Sequence, residues 1–475
     1  MIRSVFLICL GLCCCQGATA QNVELSPEMI REIQQGFHLD THAVAMQNAL
    51  TQTDIKALSE NHQVLENHNT TFSHKINTAG ISNQKQTGRC WMFAGFNTLR
   101  PAIMQRLDLD GFEFSHIYLQ FWDKFEKANT FLEYMIEYRD QDVLDREMTL
   151  LMQDPCTDGG YWENFVDLVQ KYGVVPDTVM AETASSEDTG LMNQNLNRLL
   201  RKVADHMREV YHQTDSVEQM RALKLPALAD VYKILVLNLG EPPQEFTWRY
   251  PIKPKDDKNK DKTTDQEKPV KQPLSELKIY TPKSFYDECI GLDLSQFVNL
   301  ADDPIRPKGS HCEVQITKDL YDGHNASYAN VDRAILKQVV LAMLMDDHAV
   351  YFAADVSPDQ DREKGIMEAN LYDFNSVYGL DLNLDKRQRL LDRDSTINHG
   401  MAFIGVDLVQ GKPIKWLVEN SWGTDNGDKG LWTMYDNWFD QYVYNIVVQK
   451  KYVPAEILKI FDTPVQKLPV WDPMW

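Results

Sequence analysis

The stretch Asn83–Pro101, NQKQTGRCWMFAGFNTLRP, decides how this chain is read. Gly88 supplies a turn, Cys90 follows, and Trp91, Ala94, Leu99, Ile103 and Leu107 fall on one broad helical face. Pro101 is expected to kink that helix. The pattern places Cys90 at a helix start. Free amide hydrogens and the helix dipole favour a thiolate there. Taken alone, a cysteine in this position is more often a buried structural thiol than a nucleophile. Gln84, six residues upstream, could offer its side-chain amide to a developing oxyanion beside the Cys90 N–H.

A nucleophilic thiol needs a base, and two of the 12 histidines precede apolar strand-like runs: His348 in DDHAVYFAADV and His399 in NHGMAFIGVDL. Only His399 has an amide partner in reach of a simple fold. A strand from His399, a turn at DLVQGKPI and a returning strand through Trp416 would bring Asn420 of VENSWG back beside the imidazole. The Asn420 oxygen would fix the ring, and Trp422 would shield that hydrogen bond from water. His348 has no such arrangement and reads as structural.

The 475 residues can form sizeable cores. Net charge is −21, from 48 basic and 69 acidic residues, which argues against nucleic acid as a partner. Residues 1–20 read as a cleaved signal peptide: Arg3, a short apolar run, then Ala18-Thr19-Ala20. The expected product is an exported, periplasmic or secreted chain of residues 21–475 with no membrane association. A retained anchor lipidated at Cys13 competes with this, but Leu10-Gly11-Leu12 fits such processing poorly. Four of the eight cysteines lie in that segment. Cys90, Cys156, Cys289 and Cys312 are too few for a disulfide framework, though a Cys289–Cys312 bridge stays open.

Along the chain, helical periodicity dominates first and strand-like runs follow, an α+β pattern. The second half of the first hundred residues, up to Cys90, reads as polar loop, and Leu196–Val210 as an amphipathic helix. The charged, proline-bearing segment 251–273 reads as an exposed insertion. The segment DTPVQKLPVWDPMW should run extended.

The motifs NQKQTGRCWMFA, DGGYWENFVDLVQKYGVVP, EANLYDFNSVYG, INHGMAFIGV, KWLVENSWGTDNGDKG and LPVWDPM together resemble the bleomycin hydrolase/aminopeptidase C family of papain-like cysteine peptidases. The resemblance covers most of the chain after the signal. It is loosest before residue 80, across 176–240 and in the charged insertion. It implies a two-lobed papain-like fold with large helical insertions. The expected helical lobe spans about 75–345, the β-barrel lobe about 346–453 and a C-terminal arm 454–475. It implies Cys90 as nucleophile, His399 as base and acid, Asn420 as orienter and Gln84 as oxyanion donor. Gly159 and Gly160 would be an edge that pairs with extended substrate, with Trp422 and Trp475 as further contacts. No cofactor or metal is implied, and assembly is expected as a homo-oligomer, a hexamer.

Three departures stand out. Thr87 occupies a position where simple papain-like enzymes often carry a bridged cysteine, so Cys156 lacks that partner. Family members are usually cytosolic, whereas this chain looks exported. The family's C-terminal arm lies in the cleft with its carboxylate near the substrate amine, and here the tail stops at Met474-Trp475. The implied activity is removal of N-terminal residues from peptides. A cysteine endopeptidase, an acyltransferase and a non-catalytic peptide-binding scaffold are the alternatives.

Overall fold

The computed structural model describes residues 24–252 and 273–475. Residues 1–20, expected from sequence to be a signal peptide, and the interior of the charged insertion 251–273 lie outside the described residues. The insertion's flanks are closed by backbone pairing, with Ile252 N–H donating to the Pro273 carbonyl at 2.8 Å. The chain forms two compact units: residues up to Glu60 with Asp373–Leu382, and Asn61–Tyr372 with Asn383–Trp475.

The smaller unit is helical. Its helices Pro27–Gly36, Thr41–Leu50, Ile55–Ser59 and Phe374–Tyr378 each start at a Ser or Asp whose side chain accepts from a first-turn N–H: Ser26, Asp40, Asp54 and Asp373. Part of the stretch expected to be loop is therefore helical, because caps rather than apolar periodicity start these short helices.

The larger unit has a helical lobe built on α1 (Cys90–Leu107), α2 (His116–Glu137), α3 (Trp162–Tyr172), α4 (Gly190–Thr214) and α5 (Lys224–Leu239). Helix α1 runs on through Pro101, and its Phe96, Leu99 and Ile103 pack with Phe114, Phe121 and Leu168 in one buried core. Helix α6 (Arg333–Met345) belongs to the second core, where Leu336, Val340 and Met343 meet the sheet.

The sheet uses β1 (Phe297–Ala301), β2 (His311–Val314), β3 (Ser327–Asn330), β4 (Val350–Ala354), β5 (His399–Val409), β6 (Lys412–Glu419), β7 (Leu431–Tyr435), β8 (Val443–Gln449) and β9 (Gln466–Leu468). Their order is β9-β2-β3-β1-β8-β4-β5-β6-β7. Apart from a short segment, His74–Lys75, that pairs with β5, the strands of this sheet begin at Phe297, upstream of residue 346, near which the β-barrel lobe was expected to start. They were hidden because polar residues such as Asn299 and His311 interrupt the apolar pattern. The C-terminal strand β9 is extended and pairs parallel to β2, Gln466 opposite Cys312.

The hairpin β5–β6 positions the site. Val409 pairs with Lys412 across a two-residue turn, Gln410 and Gly411, both at positive φ (51° and 76°). Such a turn matches the right-handed twist of paired strands. The register then carries Ala402 opposite Glu419, so His399 and Asn420 emerge together at the far end. Cys289 and Cys312 are both free buried thiols, so the Cys289–Cys312 bridge is not formed. One lies in the Tyr286–Ile290 turn and packs in the helical core, whereas the other sits in β2 in a separate C-terminal core.

Candidate active site

Cys90 is the first residue of α1, and Arg89 before it is non-helical at φ −81°, ψ 15°. Arg89 is almost fully buried and held from several sides. Its guanidinium donates to Glu182 at 3.0 and 3.2 Å, to Gln120 at 3.0 Å and to the Ser186 carbonyl at 2.7 Å. The residue before the thiol is thereby locked, and the helix start with it. Gly88 N–H donates to Asp158 at 3.1 Å, and Trp91 Nε1 donates to the Asp158 carbonyl at 2.8 Å. Burial pushes the Cys90 thiol up, and backbone N–H groups of Gly400, Trp91 and Cys90 itself pull it back.

His399 begins β5, and its Nε2 lies 2.7 Å from Asn420 Oδ1. That same oxygen accepts the Ser421 backbone N–H at 2.7 Å. A backbone N–H can only donate, so this atom of Asn420 is the oxygen and His399 Nε2 must carry the proton. The neutral imidazole is left with Nδ1 as its unprotonated nitrogen, the one a base needs. The Trp422 ring packs 4.7 Å from the imidazole, and the Arg362 guanidinium lies 4.8 Å over that indole. Burial drops His399 to about 4, against a smaller upward pull from Asn420. Burial thus disfavours charge on either group alone, and a thiolate and imidazolium formed together would offset part of that cost.

Gln84 is tied to the Asn420 loop. Its backbone N–H donates to the Ser421 carbonyl at 2.8 Å, and Gly423 N–H donates to Ser82 at 3.1 Å. Its side-chain oxygen accepts the Ser421 hydroxyl at 2.7 Å, and Nε2 donates one hydrogen to the Thr87 carbonyl at 2.7 Å. A second amide hydrogen is left over.

Gln84, Cys90, His399, Gly159, Gly160 and Trp475 all line one cavity of about 620 Å³. Trp422 is not part of its wall; it covers the imidazole. Gly160 presses on the Trp91 indole so closely that a Cβ there would sit 2.5 Å from the ring, whereas a Cβ on Gly159 would meet nothing nearer than Thr157 Oγ1 at 3.7 Å. The Trp475 ring lies 5.1 Å from that of Tyr161, and Met474 is fully buried beside it in sequence. His348 is remote from this cavity and lies 3.7 Å from Asp346. Among the described residues no group of three or more His, Cys, Asp or Glu side chains is arranged to hold a metal.

Several participants escaped the sequence reading. Ser421 sets both amides, yet its only signal was adjacency to Asn420. Arg100, midway along α1, is completely buried and bonds Glu113 at 2.6 Å and Glu419, the residue before Asn420. It joins the nucleophile's helix to the orienter's strand, but an arginine in a helix gives no hint of that from sequence.

A thiol at a helix start and an amide-oriented imidazole on a β-hairpin, sharing one cavity between a helical lobe and a sheet lobe, define a papain-like cysteine-type peptidase. The Peptidase C1-like family model matches residues 24–475, and the chain belongs to that family. It is 34% identical over 453 residues to Aminopeptidase C of Streptococcus thermophilus, covering 95% of this chain and 98% of that protein. It is 33% identical over 463 residues to Bleomycin hydrolase of Homo sapiens, covering 95% and 98%. A crystal structure of pepw from Lactobacillus rhamnosis superposes with a TM-score of 0.87 at 35% identity, covering 95% of this chain and 99% of that one.

Proposed function

We propose that this protein is a thiol-dependent aminopeptidase that hydrolyses peptides through a Cys90 thioester. The observation that carries the reading is the Asn420 oxygen held by the Ser421 N–H, which fixes His399 in the tautomer of a base within the cavity that Cys90 lines. His399 takes the thiol proton as Cys90 Sγ attacks the carbonyl. The oxyanion is received by the free Gln84 amide hydrogen and the Cys90 N–H. Imidazolium then protonates the departing amine as the C–N bond breaks. Water, deprotonated by His399, cleaves the thioester and returns the thiol and a free acid. The Gly159–Gly160 edge would pair with the extended substrate backbone.

Removal of N-terminal residues is favoured over internal cleavage because Val470 and Trp475 wall the cavity, and because the relatives are named as aminopeptidases. We also propose export through residues 1–20 and assembly as a homo-oligomer, hexameric by family resemblance. Aminoacyl-coumarin hydrolysis by wild type and Cys90→Ala, with stoichiometric iodoacetamide labelling of Cys90, tests the core reading. Residual Cys90→Ala turnover above about 1% of wild type would overturn it. Labelling without any turnover would make the protein a binding scaffold.

A further inference from the structure

One wall of the cavity is built from neighbouring strands of the sheet, and its chemistry is not what the cleavage steps need. In the order β1-β8-β4-β5, Asn299 and Tyr351 both pair with Val447, Asn445 and Gly400 both pair with Ala353, and Ala402 pairs with Tyr351. Strand side chains alternate faces, so Asn299, Asn445, Tyr351, Ala353 and Gly400 share one face. All five line the cavity. Gly400 and Ala353, nearest His399, are small and leave room. Polar groups lie deeper.

One of those polar groups is buried without a partner among the described residues, and a second stands beside it on the cavity wall. Tyr351 is 3% exposed and lines the cavity, and its hydroxyl would stand 3.0 Å from a Cβ placed on Gly400. Asn445 is also 3% exposed. Its amide nitrogen donates to Asn299 Oδ1 at 3.0 Å, which turns its own oxygen away from Asn299, and that oxygen is unpaired. Buried polar groups are nearly always satisfied, so the unpaired Asn445 oxygen on a cavity wall calls for a partner that arrives with a ligand. An apolar side chain seated here would leave that oxygen unpaired; one ending in a hydrogen-bond donor would satisfy it.

We propose that this wall is a side-chain pocket selecting a substrate residue that ends in a hydrogen-bond donor, an amide above all, with the Tyr351 hydroxyl as its contact and Asn445 as the acceptor behind it. The proposal rests on the peptidase reading and assigns that site a substrate class. Gly400 opens the pocket, since any side chain there would run into the Tyr351 hydroxyl.

Glutamine against methionine, and asparagine against leucine, are near-matched in size and differ in hydrogen bonding. The test measures kcat/KM on aminoacyl-coumarins (X) and dipeptidyl-coumarins (X-Ala) with X as each of these four. Wild type is expected to favour Gln over Met and Asn over Leu in one of the two series. Tyr351→Phe removes only a hydroxyl on the cavity wall, and should lower the Gln-to-Met ratio about tenfold in that series. Asn445→Leu should move the ratio the same way and serves if Tyr351→Phe does not fold. Wild type that cleaves neither series overturns the peptidase reading itself. Wild type that cleaves them with Gln-to-Met ratios unmoved by both variants overturns the pocket alone.

Discussion

Protonating His399 should destabilise the fold, by an amount the structure sets. The perturbation is acidification in a Cys90→Ala background, where no thiol can share the proton. Burial holds the imidazole down to about 4 against an ordinary 6.5. The folded value lies below the unfolded one, so the unfolded chain binds the proton more readily. The stability from neutral His399 is complete above the unfolded value and drains away as pH falls toward the folded value. Between about pH 7.5 and 4.5 this amounts to ~2.5 kcal/mol. Other groups titrate in the same window: burial lifts Glu163 to about 7 and Asp359 to about 6. A difference measurement cancels them. Urea unfolding of Cys90→Ala and of Cys90→Ala with His399→Gln, each at both pH values, isolates the imidazole. The single variant should lose ~2.5 kcal/mol more than the double variant on acidification. A difference below about 0.5 kcal/mol would mean the ring is already wet or charged, and the argument from burial would fail. Restoring Cys90 should shrink the loss, because a thiolate stabilises the buried imidazolium.

Gly160→Ala should cripple activity, since its Cβ would sit 2.5 Å from the Trp91 ring, while Gly159→Ala has 3.7 Å of clearance; equal kcat/KM losses would refute the distinction. Arg100→Met strands the buried carboxylate of Glu419 and the partly exposed one of Glu113, and should cost ~3–5 kcal/mol in urea unfolding. An unchanged midpoint would refute it. Removing Met474 and Trp475 strips the indole from the cavity wall beside Tyr161. Cleavage of amino-acetylated relative to free-amine substrates should rise severalfold, and an unmoved ratio would refute a gating role for the tail.

The parts of this site that a reader can find in the sequence are those whose signal is local. Cys90 announces itself by opening an apolar helix, and the Gln410-Gly411 turn fixes the register that returns Asn420 to His399. What stays hidden is set by partners far along the chain. Helix α2 carries Asp123, Lys124, Glu126 and Lys127, and all four are buried. Lys124 pairs with Asp158 at 2.6 Å, and Lys127 with Asp123 at 2.9 Å while donating to the Gly159 carbonyl at 2.6 Å. No periodicity can distinguish such charges from exposed ones, because partners such as Asp158 and the Gly159 carbonyl come from a distant loop. The early strands are masked for a similar reason: Asn299 is buried through its bond to Asn445, and no alternation of apolar residues marks that. The Cys289–Cys312 bridge failed on the same ground, since two thiols close in sequence belong to different cores.

The neutral orienter has a consequence for how the dyad works. A carboxylate at position 420 would stabilise imidazolium whether or not the thiol had ionised, and His399 could then charge without doing chemistry. An amide oxygen fixes the tautomer and ring angle but offers only a dipole, too little to offset burial, as the low value of His399 shows. The main source of compensating charge is then the sulfur itself. Under the proposed roles, proton transfer from Cys90 to His399 would create both charges in one step, in a cavity whose low dielectric strengthens their attraction. Ser421 serves this division of labour twice, through an N–H that holds the Asn420 oxygen and a hydroxyl that holds the Gln84 oxygen. Under the same proposed roles, the acceptor that orients His399 and the hydrogen for the oxyanion are thus aligned by one residue, which would couple nucleophile activation to stabilisation of the charge it produces.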